Sequence, residues 1–538
     1  MSRPTSTTPL LPHSRSPSPR PDYTRSQSVQ PLRRRRRSTP PIHVFPAALA
    51  FCLFMVVAFV AWDVSSLGNC YVKPLCDLLG DGMEKKEDIW WRNAGPYAPW
   101  RSLGPAGGRK GLPRGCEIDQ VTILHRHAAR YPTKASSIPM QDALDKLANR
   151  TVRLPRRHPE LAFLAKADLQ MTGWEFDGLM NSGRKESWRS GRQNAAMYKK
   201  LIDEGNGVFA RSAGGGRVVE TAGYWLQGYL GESFKLKSPD QLHQTNLTMP
   251  EGTESNNTLS VKNCPAYEAL SPPEGTEALS TLLTLLTHTR DRLNAILDPN
   301  PPLDIPDVIQ LGEMCAFDSQ TSEEWEGWSR WCSMFSGGEW ETFGYIKEVQ
   351  RWFECGAGST YGSTMGAGWV NELVARLTDS RPVDRTTTNR TLDGDEITFP
   401  RGGKRVFVDF THDNEMVEIL TALGIMKQHR SLPTSYVPEL RTFVLSEIIP
   451  FGSQFIFERI ACDLGDWEPD PNDSDQDRSK DGKKDYVRIL INDKITPVNH
   501  VACKQSGFVE HGMCEVESFV ESQAASNEAD WGDCMIRK

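Results

Sequence analysis

Residues 121–133 read VTILHRHAARYPT, an apolar run of β-strand type that ends in a cluster of basic side chains. Six positions hold two histidines and two arginines, namely His125, Arg126, His127 and Arg130. Like charges this close repel one another, so an anion is expected to compensate them. The forked guanidinium of arginine matches a pair of phosphoryl oxygens. The stretch predicts a phosphate site at a strand end, and a surface basic patch or a salt-bridged core cluster is the alternative.

His127 is the candidate nucleophile of such a site. A histidine among arginines has its pKa pushed down, so the ring stays neutral and nucleophilic in acid. This favours covalent catalysis through phosphohistidine. His125 alternates with the apolar residues of the strand and is expected to be structural.

Two later stretches carry further candidates. RVFVDFTHDNEM (405–416) ends a strand pattern at His412 and Asp413. A carboxylic acid beside a phosphate pocket could protonate the leaving oxygen, although the same residues also suit a turn or a helix N-cap. In FARSAGGGRVVETA (209–222), Arg211 leads a Ser/Gly-rich loop and could supply a third guanidinium or be an ordinary loop arginine.

The order of patterns predicts the fold class. Helical periodicity predominates from Pro139 to about Arg401, as at 277–297, and strand patterns return at 405–410 and 486–491. A strand, a long helical insertion and further strands indicate an α/β core with an inserted, mainly helical cap. The predicted main domain is 116–538, with its α/β core at 116–137, 205–235 and 400–538 and its cap at roughly 138–204 and 236–399.

The N-terminal region predicts a membrane anchor. Residues 1–43 are Pro/Ser/Arg-rich and are expected to be a disordered basic tail. Val44–Trp62 is free of charge and long enough, at about 28 Å as a helix, to span a bilayer. A buried helix or a cleaved signal peptide is the alternative. The basic tail predicts a cytoplasmic N-terminus, hence a single-pass type II protein with a stem at 63–115 and a lumenal or extracellular catalytic domain.

Charge and cysteine content agree with that compartment. The first 43 residues carry nine arginines and one aspartate, so from a whole-chain charge of −7 the remainder is about −15, which argues against nucleic-acid binding. The twelve cysteines are dispersed without paired CxxC elements, which favours disulfides over a zinc site. Five glycosylation sequons are present, at Asn149, Asn246, Asn256, Asn389 and Asn472.

Taken together, these motifs resemble the histidine acid phosphatase family, in particular its fungal phytase-like branch. The family signature R-H-G-x-R-x-P is matched by residues 126–132, its later His-Asp by His412-Asp413, and its intermediate arginine by Arg211. The resemblance spans roughly residue 70 to the C-terminus. Three further stretches look similar: GLMNSGRKESWRSG (178–191), GAGSTYGSTMGAGWVNELVARL (356–377) and RILINDKITPV (488–498).

The resemblance implies an acid phosphatase that needs no metal and no cofactor. His127 would form the phosphoenzyme, and Asp413 would protonate the leaving oxygen and then activate water. The phosphoryl oxygens would be bound by Arg126, Arg130, Arg211 and His412. Inositol hexakisphosphate (phytate) is the substrate that the resemblance favours, and a broad-specificity acid phosphatase is the alternative.

The resemblance also implies a disulfide framework and exposes one departure. The implied pairs are Cys70–Cys76, Cys116–Cys462, Cys264–Cys534, Cys315–Cys332 and Cys503–Cys514, with Cys355 left unpaired. Ala128 replaces the glycine of the signature. If that position required a positive φ, the extra Cβ would cost about 1 kcal/mol or more and displace the cluster. A catalytically impaired relative that binds phosphorylated ligands is therefore a further alternative.

Overall fold

The structure of the protein, a computed structural model, describes residues 86–536 with gaps. All described residues belong to one unit of the chain, Glu84–Lys538. The gaps are residues 106–110, 151–157, 199, 202–206, 232–245, 253–254, 256, 261–263, 322–326, 387–389, 403–404, 429, 464–482 and 506–507.

The described residues form an eight-stranded mixed sheet around the strand predicted from the opening stretch. Its strands are β1 (Cys116–Arg126), β2 (Val208–Ala213), β3 (Asn246–Met249), β4 (Val406–Thr411), β5 (Gln454–Asp463), β6 (Lys483–Ile491), β7 (Lys494–Ile495) and β8 (Met513–Glu515). The order is β3-β2-β4-β1-β5-β6-β7, and β8 pairs with β6. The first four strands of this order are parallel, whereas β5 to β8 pair antiparallel with their neighbours.

Helices cover both faces of this sheet. They are α1 (Lys86–Asn93), α2 (Lys134–Ala148), α3 (Asn181–Met197), α4 (Gly216–Leu230), α5 (Pro265–Glu268), α6 (Thr276–Leu283), α7 (Thr287–Leu297), α8 (Ile305–Ser319), α9 (Gly337–Glu354), α10 (Gly362–Leu377), α11 (Arg390–Asp393), α12 (Asp413–Leu423), α13 (Leu445–Ile448), α14 (Val501–Gln505), α15 (Val516–Ser522) and α16 (Ala524–Glu528). The α4 side chain of Trp225 packs on Phe410, and Trp369 of α10 packs on Phe457 from the opposite face. A strand covered on both faces reads as a continuous apolar run, which explains VTIL.

Helix α4 approaches α3 so closely that both backbones touch. A Cβ on Gly191 would lie 2.0 Å from the carbonyl oxygen of Trp225, and one on Gly228 would lie 2.0 Å from that of Trp188. Only glycine leaves room at these two positions. The close crossing packs the last turns of α4 against α3.

The predicted elements are confirmed with shifted bounds. The strand patterns at 405–410 and 486–491 form β4 and the end of β6, and the helical periodicity at 277–297 forms α6 and α7. Two features depart from the predicted division into core and cap. Strand β3 lies within 236–399, and α3, which contacts the sheet through Ser190 and His125, lies within 138–204.

Four of the five implied disulfides are confirmed: Cys116–Cys462, Cys264–Cys534, Cys315–Cys332 and Cys503–Cys514. The first ties β1 to β5 across 346 residues, and bonds that close long loops contribute about 2–4 kcal/mol each. Cys355 is a buried free thiol, as implied. The Cys70–Cys76 pair lies outside the described residues.

The predicted tail, membrane span and first part of the stem also lie outside the described residues. Among those that are described, no helix combines the length and the apolar character that a bilayer crossing needs. The described part of the stem contributes α1 and a turn at Gly95–Tyr97, and the turn packs against the end of β1.

Candidate active site

The carboxyl ends of the parallel strands bring the candidate residues together. Parallel strands end at the same edge of a sheet, and ligands of open α/β sheets bind at that edge. The backbone N–H of His127, directly after β1, donates to the carbonyl of Thr411 at the end of β4, 3.0 Å away. The N–H of Gly452 donates to the carbonyl of His127 at 3.1 Å. Backbone hydrogen bonds on both sides therefore fix the position of His127.

The imidazole of His127 presents one nitrogen for attack. Its Nδ1 lies 3.0 Å from the carbonyl oxygen of Ala128, which favours the tautomer with hydrogen on Nδ1. Nε2 is buried and has no hydrogen-bond partner among the described residues. Burial, followed by the charges of Arg126, Arg217 and Arg130, holds the pKa of His127 well below its usual value. The ring is therefore neutral in acid, which is the form that the predicted role as nucleophile needs.

Arg126 is a fully buried cation. Its Nη1 donates to the carbonyls of Pro96 and Ile449, and Nη2 lies 3.4 Å from Oδ2 of Asp413. The guanidinium stacks over Phe451 at 4.6 Å. Burial lowers the pKa of Arg126 to about 10 although Asp413 opposes the shift. The surrounding protein does not fully compensate this charge, so an anion bound here would stabilise it.

Four guanidinium groups leave donors unused around His127. The Nε atoms of Arg126, Arg130, Arg217 and Arg351 are buried and have no hydrogen-bond partner among the described residues. Buried donors are normally paired, and each unpaired donor costs about 1–3 kcal/mol. Oxygen atoms of a bound phosphoryl group are the acceptors that such a set of charged donors suits.

The structure does not bring Arg211 to this cluster, and the predicted role for this residue is corrected. Its Nε donates to Oδ1 of Asp409 at 2.8 Å, and its Nη1 donates to Oε1 of Glu372 at 3.2 Å. Arg211 faces Asp409 on the neighbouring strand and lies inside β2, two residues before its end. The side chain is therefore committed to a core ion pair and cannot turn towards the strand ends.

Arg217 occupies the place expected for the third guanidinium. It lies in the first turn of α4, after the glycine-rich loop, and its Nη2 is 3.3 Å from Nδ1 of His412. The His412 ring is 5.6 Å from that of His127, and its Nε2 donates to Oε1 of Glu251 at 2.8 Å. Arg217 and Glu251 together set the orientation of His412.

Asp413 lies between two guanidiniums. Its Oδ2 is 3.4 Å from Arg126 and 3.3 Å from Nη2 of Arg351, which reaches in from α9. Burial opposes ionisation of the carboxyl, but the charges of Arg126 and Arg351 hold the pKa of Asp413 well below its usual value. Without a bound anion, Asp413 is therefore ionised and must gain a proton before it can act as an acid.

Comparisons with known proteins agree with this geometry. Residues 117–492 match the family described as the histidine phosphatase superfamily (branch 2). The chain belongs to this superfamily. Phytase A of Neurospora crassa is 30% identical over 482 residues, covering 82% of this chain and 91% of that protein. Phytase A of Aspergillus fumigatus is 30% identical, covering 82% and 90%.

Solved structures share the histidine phosphatase fold. The D. castellii phytase superposes with a TM-score of 0.63 at 21% identity, covering 82% of this chain and 86% of the other. The Bifidobacterium longum multiple inositol polyphosphate phosphatase, in complex with inositol hexasulfate, gives a TM-score of 0.54 at 12% identity, covering 83% and 100%. The predicted α/β histidine-phosphatase fold is thereby confirmed.

Three residues of this histidine phosphatase site were missed by the sequence analysis, namely Arg217, Arg351 and Glu251. Arg217 had a usable signal, because an arginine that follows a glycine run and opens a helix lies near a ready-made anion site. Glu251 follows β3 by two residues, but the short strand NLTM gave no pattern. Arg351 lies near the end of a cap helix, and no local signal connects it to the site.

Metal coordination was also considered for this phosphatase. In the part of the chain that the structure describes, no group of three or more His, Cys, Asp or Glu side chains could hold a metal ion. The absence of a cofactor stays a prediction from the family resemblance.

The Ala128 departure causes no backbone strain in this phosphatase. Ala128 is buried, has a negative φ, and donates its N–H to Oγ1 of Thr221 at 3.1 Å. We expect Ala128→Gly to change kcat/KM for p-nitrophenyl phosphate by less than about threefold and to lower the free energy of unfolding by about 0.5–1 kcal/mol, because glycine adds entropy to the unfolded chain. Steady-state kinetics and urea unfolding measure both. A gain of about a hundredfold in kcat would show that Ala128 impairs the site.

Proposed function

We propose that this phosphoric monoester hydrolase acts on phytate or related inositol phosphates through a phosphohistidine on His127. The observation that carries the proposal is the buried Nε2 of His127, which, like the Nε atoms of the arginines beside it, has no hydrogen-bond partner within the described part of the chain. The proteins named phytase at about 30% identity over most of the chain support the substrate class. The phosphatase with the same fold that was solved with inositol hexasulfate supports it further.

In the first step, Nε2 of His127 attacks phosphorus, the N–P bond forms, and the ester P–O bond breaks. The guanidiniums of Arg126, Arg130 and Arg217 stabilise the charge on the non-bridging oxygens. Asp413 gives its proton to the leaving oxygen, which departs as an alcohol. Entry of the anionic phosphoryl group offsets the charges of Arg126 and Arg351, which raises the pKa of Asp413 and favours the protonated form.

In the second step, water attacks the phosphohistidine. The Asp413 carboxylate takes a proton from the water, the N–P bond breaks, and inorganic phosphate leaves with His127 neutral again. The ring of His412 is held by Arg217 at Nδ1 and by Glu251 at Nε2, so His412 donates to a phosphoryl oxygen only when its Nε2 is released from Glu251. The low pKa of His127 keeps this cycle running in acid.

Trapping the phosphoenzyme tests the mechanism. Trypsin cleaves after Arg126 and Arg130, so residues 127–130 (HAAR) separate His127 from His125. After an acid-pH reaction with ³²P-labelled phytate is quenched in alkali, we expect label on this tetrapeptide that is stable to alkali and lost in acid. A contaminating phosphatase cannot label it. Phosphate release by the purified protein with no label on residues 127–130 would reject His127 as the nucleophile.

A substrate panel tests the specificity. We expect kcat/KM for phytate to exceed that for glycerol phosphate, sugar phosphates and nucleotides at about pH 5. The His127→Ala variant is the control for background release. Equal kcat/KM values across the panel would favour the broad-specificity acid phosphatase instead. The catalytically impaired alternative has no support in the strain-free backbone of Ala128.

We further propose that the protein is a single-pass type II membrane protein with its catalytic domain on the lumenal or extracellular side. The apolar segment Val44–Trp62 behind a basic tail supports this orientation. The disulfides of the described domain are typical of oxidising compartments. Exposed Asn149 and the other sequons should then carry glycans. Release of the full-length protein from membranes by alkaline carbonate would contradict the anchor.

A further inference from the structure

Glu186 lies behind the catalytic loop and has no role in the steps above. Its side chain reaches from α3 to the loop that follows β1, where its carboxyl group faces the backbone N–H groups of Ala129 and Trp100, which act to lower its pKa. Ala129 is two residues after His127. Trp100 belongs to the segment that follows Gly95–Tyr97, so the carboxyl group lies between this segment and the catalytic loop.

The same carboxyl group faces the second backbone segment that fixes the nucleophile. Gly452, whose N–H donates to the carbonyl of His127, has a φ of +70°. A Cβ at this position would lie 2.7 Å from Oε1 of Glu186. Glycine is therefore required both by its backbone conformation and by the space that the glutamate occupies.

We propose that Glu186 is a positioning residue, which holds His127 in line by packing against Gly452 and by facing the backbone amides of Ala129 and Trp100 across one cavity. This proposal rests on the function proposed above. It concerns how the nucleophile is held, because a displacement of about 1 Å at a reacting atom costs about a hundredfold in rate.

Four basic side chains lie around Glu186. Arg126 faces it from β1 and Arg189 from its own helix, and a cavity of about 420 Å³ beside it is also lined by Arg101 and Lys185. Burial nevertheless raises the pKa of Glu186 to about 8. In the acid range the group is therefore neutral, so it fills this place without putting a negative charge behind an anion site.

A set of variants tests this assignment. We expect Glu186→Leu to lower kcat for p-nitrophenyl phosphate by about 10- to 100-fold with KM changed by less than about threefold. Glu186→Gln, which mimics the neutral acid, should stay within about threefold of wild type at pH 5. Above about pH 8 the wild type gains a carboxylate near Arg126, so its kcat/KM should fall more steeply there than that of the glutamine variant.

Gly452→Ala and its combination with Glu186→Ser probe the contact directly. The alanine variant should lose about tenfold in kcat, and the loss should shrink when serine frees the space. Glu339→Leu is the stability control, since Glu339 caps α9 and pairs with Arg292 without touching the catalytic loop. The proposal would be overturned if a folded Glu186→Leu protein kept the wild-type kcat, or if the glutamine and leucine variants lost kcat equally. It would also be overturned if the effects of Gly452→Ala and Glu186→Ser on kcat were strictly additive. An inactive wild type would instead reject the proposed function.

Discussion

Replacing Arg217 by leucine should lower kcat/KM for p-nitrophenyl phosphate by about 10²- to 10³-fold and leave the protein folded. Arg217 is half-buried, and its Nε is one of the donors around His127 that have no partner among the residues described. Removing one charged donor from a site that stabilises developing negative charge costs about that much. The loss should also appear as weaker inhibition by inorganic phosphate, because the product offers the same oxygens. Unchanged kcat/KM would remove Arg217 from the site.

Arg211→Leu is the matched variant, and we expect it to lose stability and to keep its activity. Its guanidinium is 2% exposed and pairs with the buried carboxylates of Asp409 and Glu372. Removing one member of a buried ion network leaves uncompensated charge and costs about 3–5 kcal/mol. Urea unfolding should show that loss, while the fraction that remains folded keeps kcat within a fewfold of wild type. A stable Arg211→Leu protein with no activity would restore Arg211 to the catalytic cluster.

This pair of arginines shows where sequence reasoning reached its limit. The motif at 126–130 and the pair His412-Asp413 could be predicted from the sequence, because in both places the reactive side chains come directly after an apolar strand pattern. For the third guanidinium, Arg211 and Arg217 are six residues apart in sequence. Which of them reaches the site depends on where β2 ends. The strand continues to Ala213, so Arg211 faces the interior and Arg217 begins the next helix.

The remaining parts of the site come from places that no local pattern connects. Arg351 approaches Asp413 from 62 residues away, and Pro96 of the predicted stem accepts a hydrogen bond from Arg126. Glu186 belongs to a stretch that the resemblance included, yet its contact with the catalytic loop depends on how α3 packs. Such contacts are properties of the tertiary fold, since residues distant in sequence meet only once the sheet order is known.

Asp413→Asn should lower kcat much more for substrates with a poor leaving group than for substrates with a good one. Asparagine keeps the shape and the contact with Arg126 but has no proton to give. For phytate, whose leaving oxygen is an alkoxide without that proton, we expect kcat to fall by about 10²- to 10⁴-fold. For p-nitrophenyl phosphate, whose phenolate leaves without help, the fall should be at least tenfold smaller, because only the activation of water is affected.

The pH dependence of the two proteins adds a second test of the same carboxyl group. The guanidiniums of Arg126 and Arg351 hold the pKa of Asp413 low, so the proton is present only in acid and only once the phosphoryl group offsets those charges. For wild type, kcat with phytate should therefore fall as pH rises through the pKa of Asp413 in the complex, and the asparagine variant should lack that limb. Arg351→Leu removes one of the two cations, so the limb should move to higher pH. Equal losses for phytate and p-nitrophenyl phosphate, with the limb retained in the asparagine variant, would mean that Asp413 orients the site and that another group donates the proton.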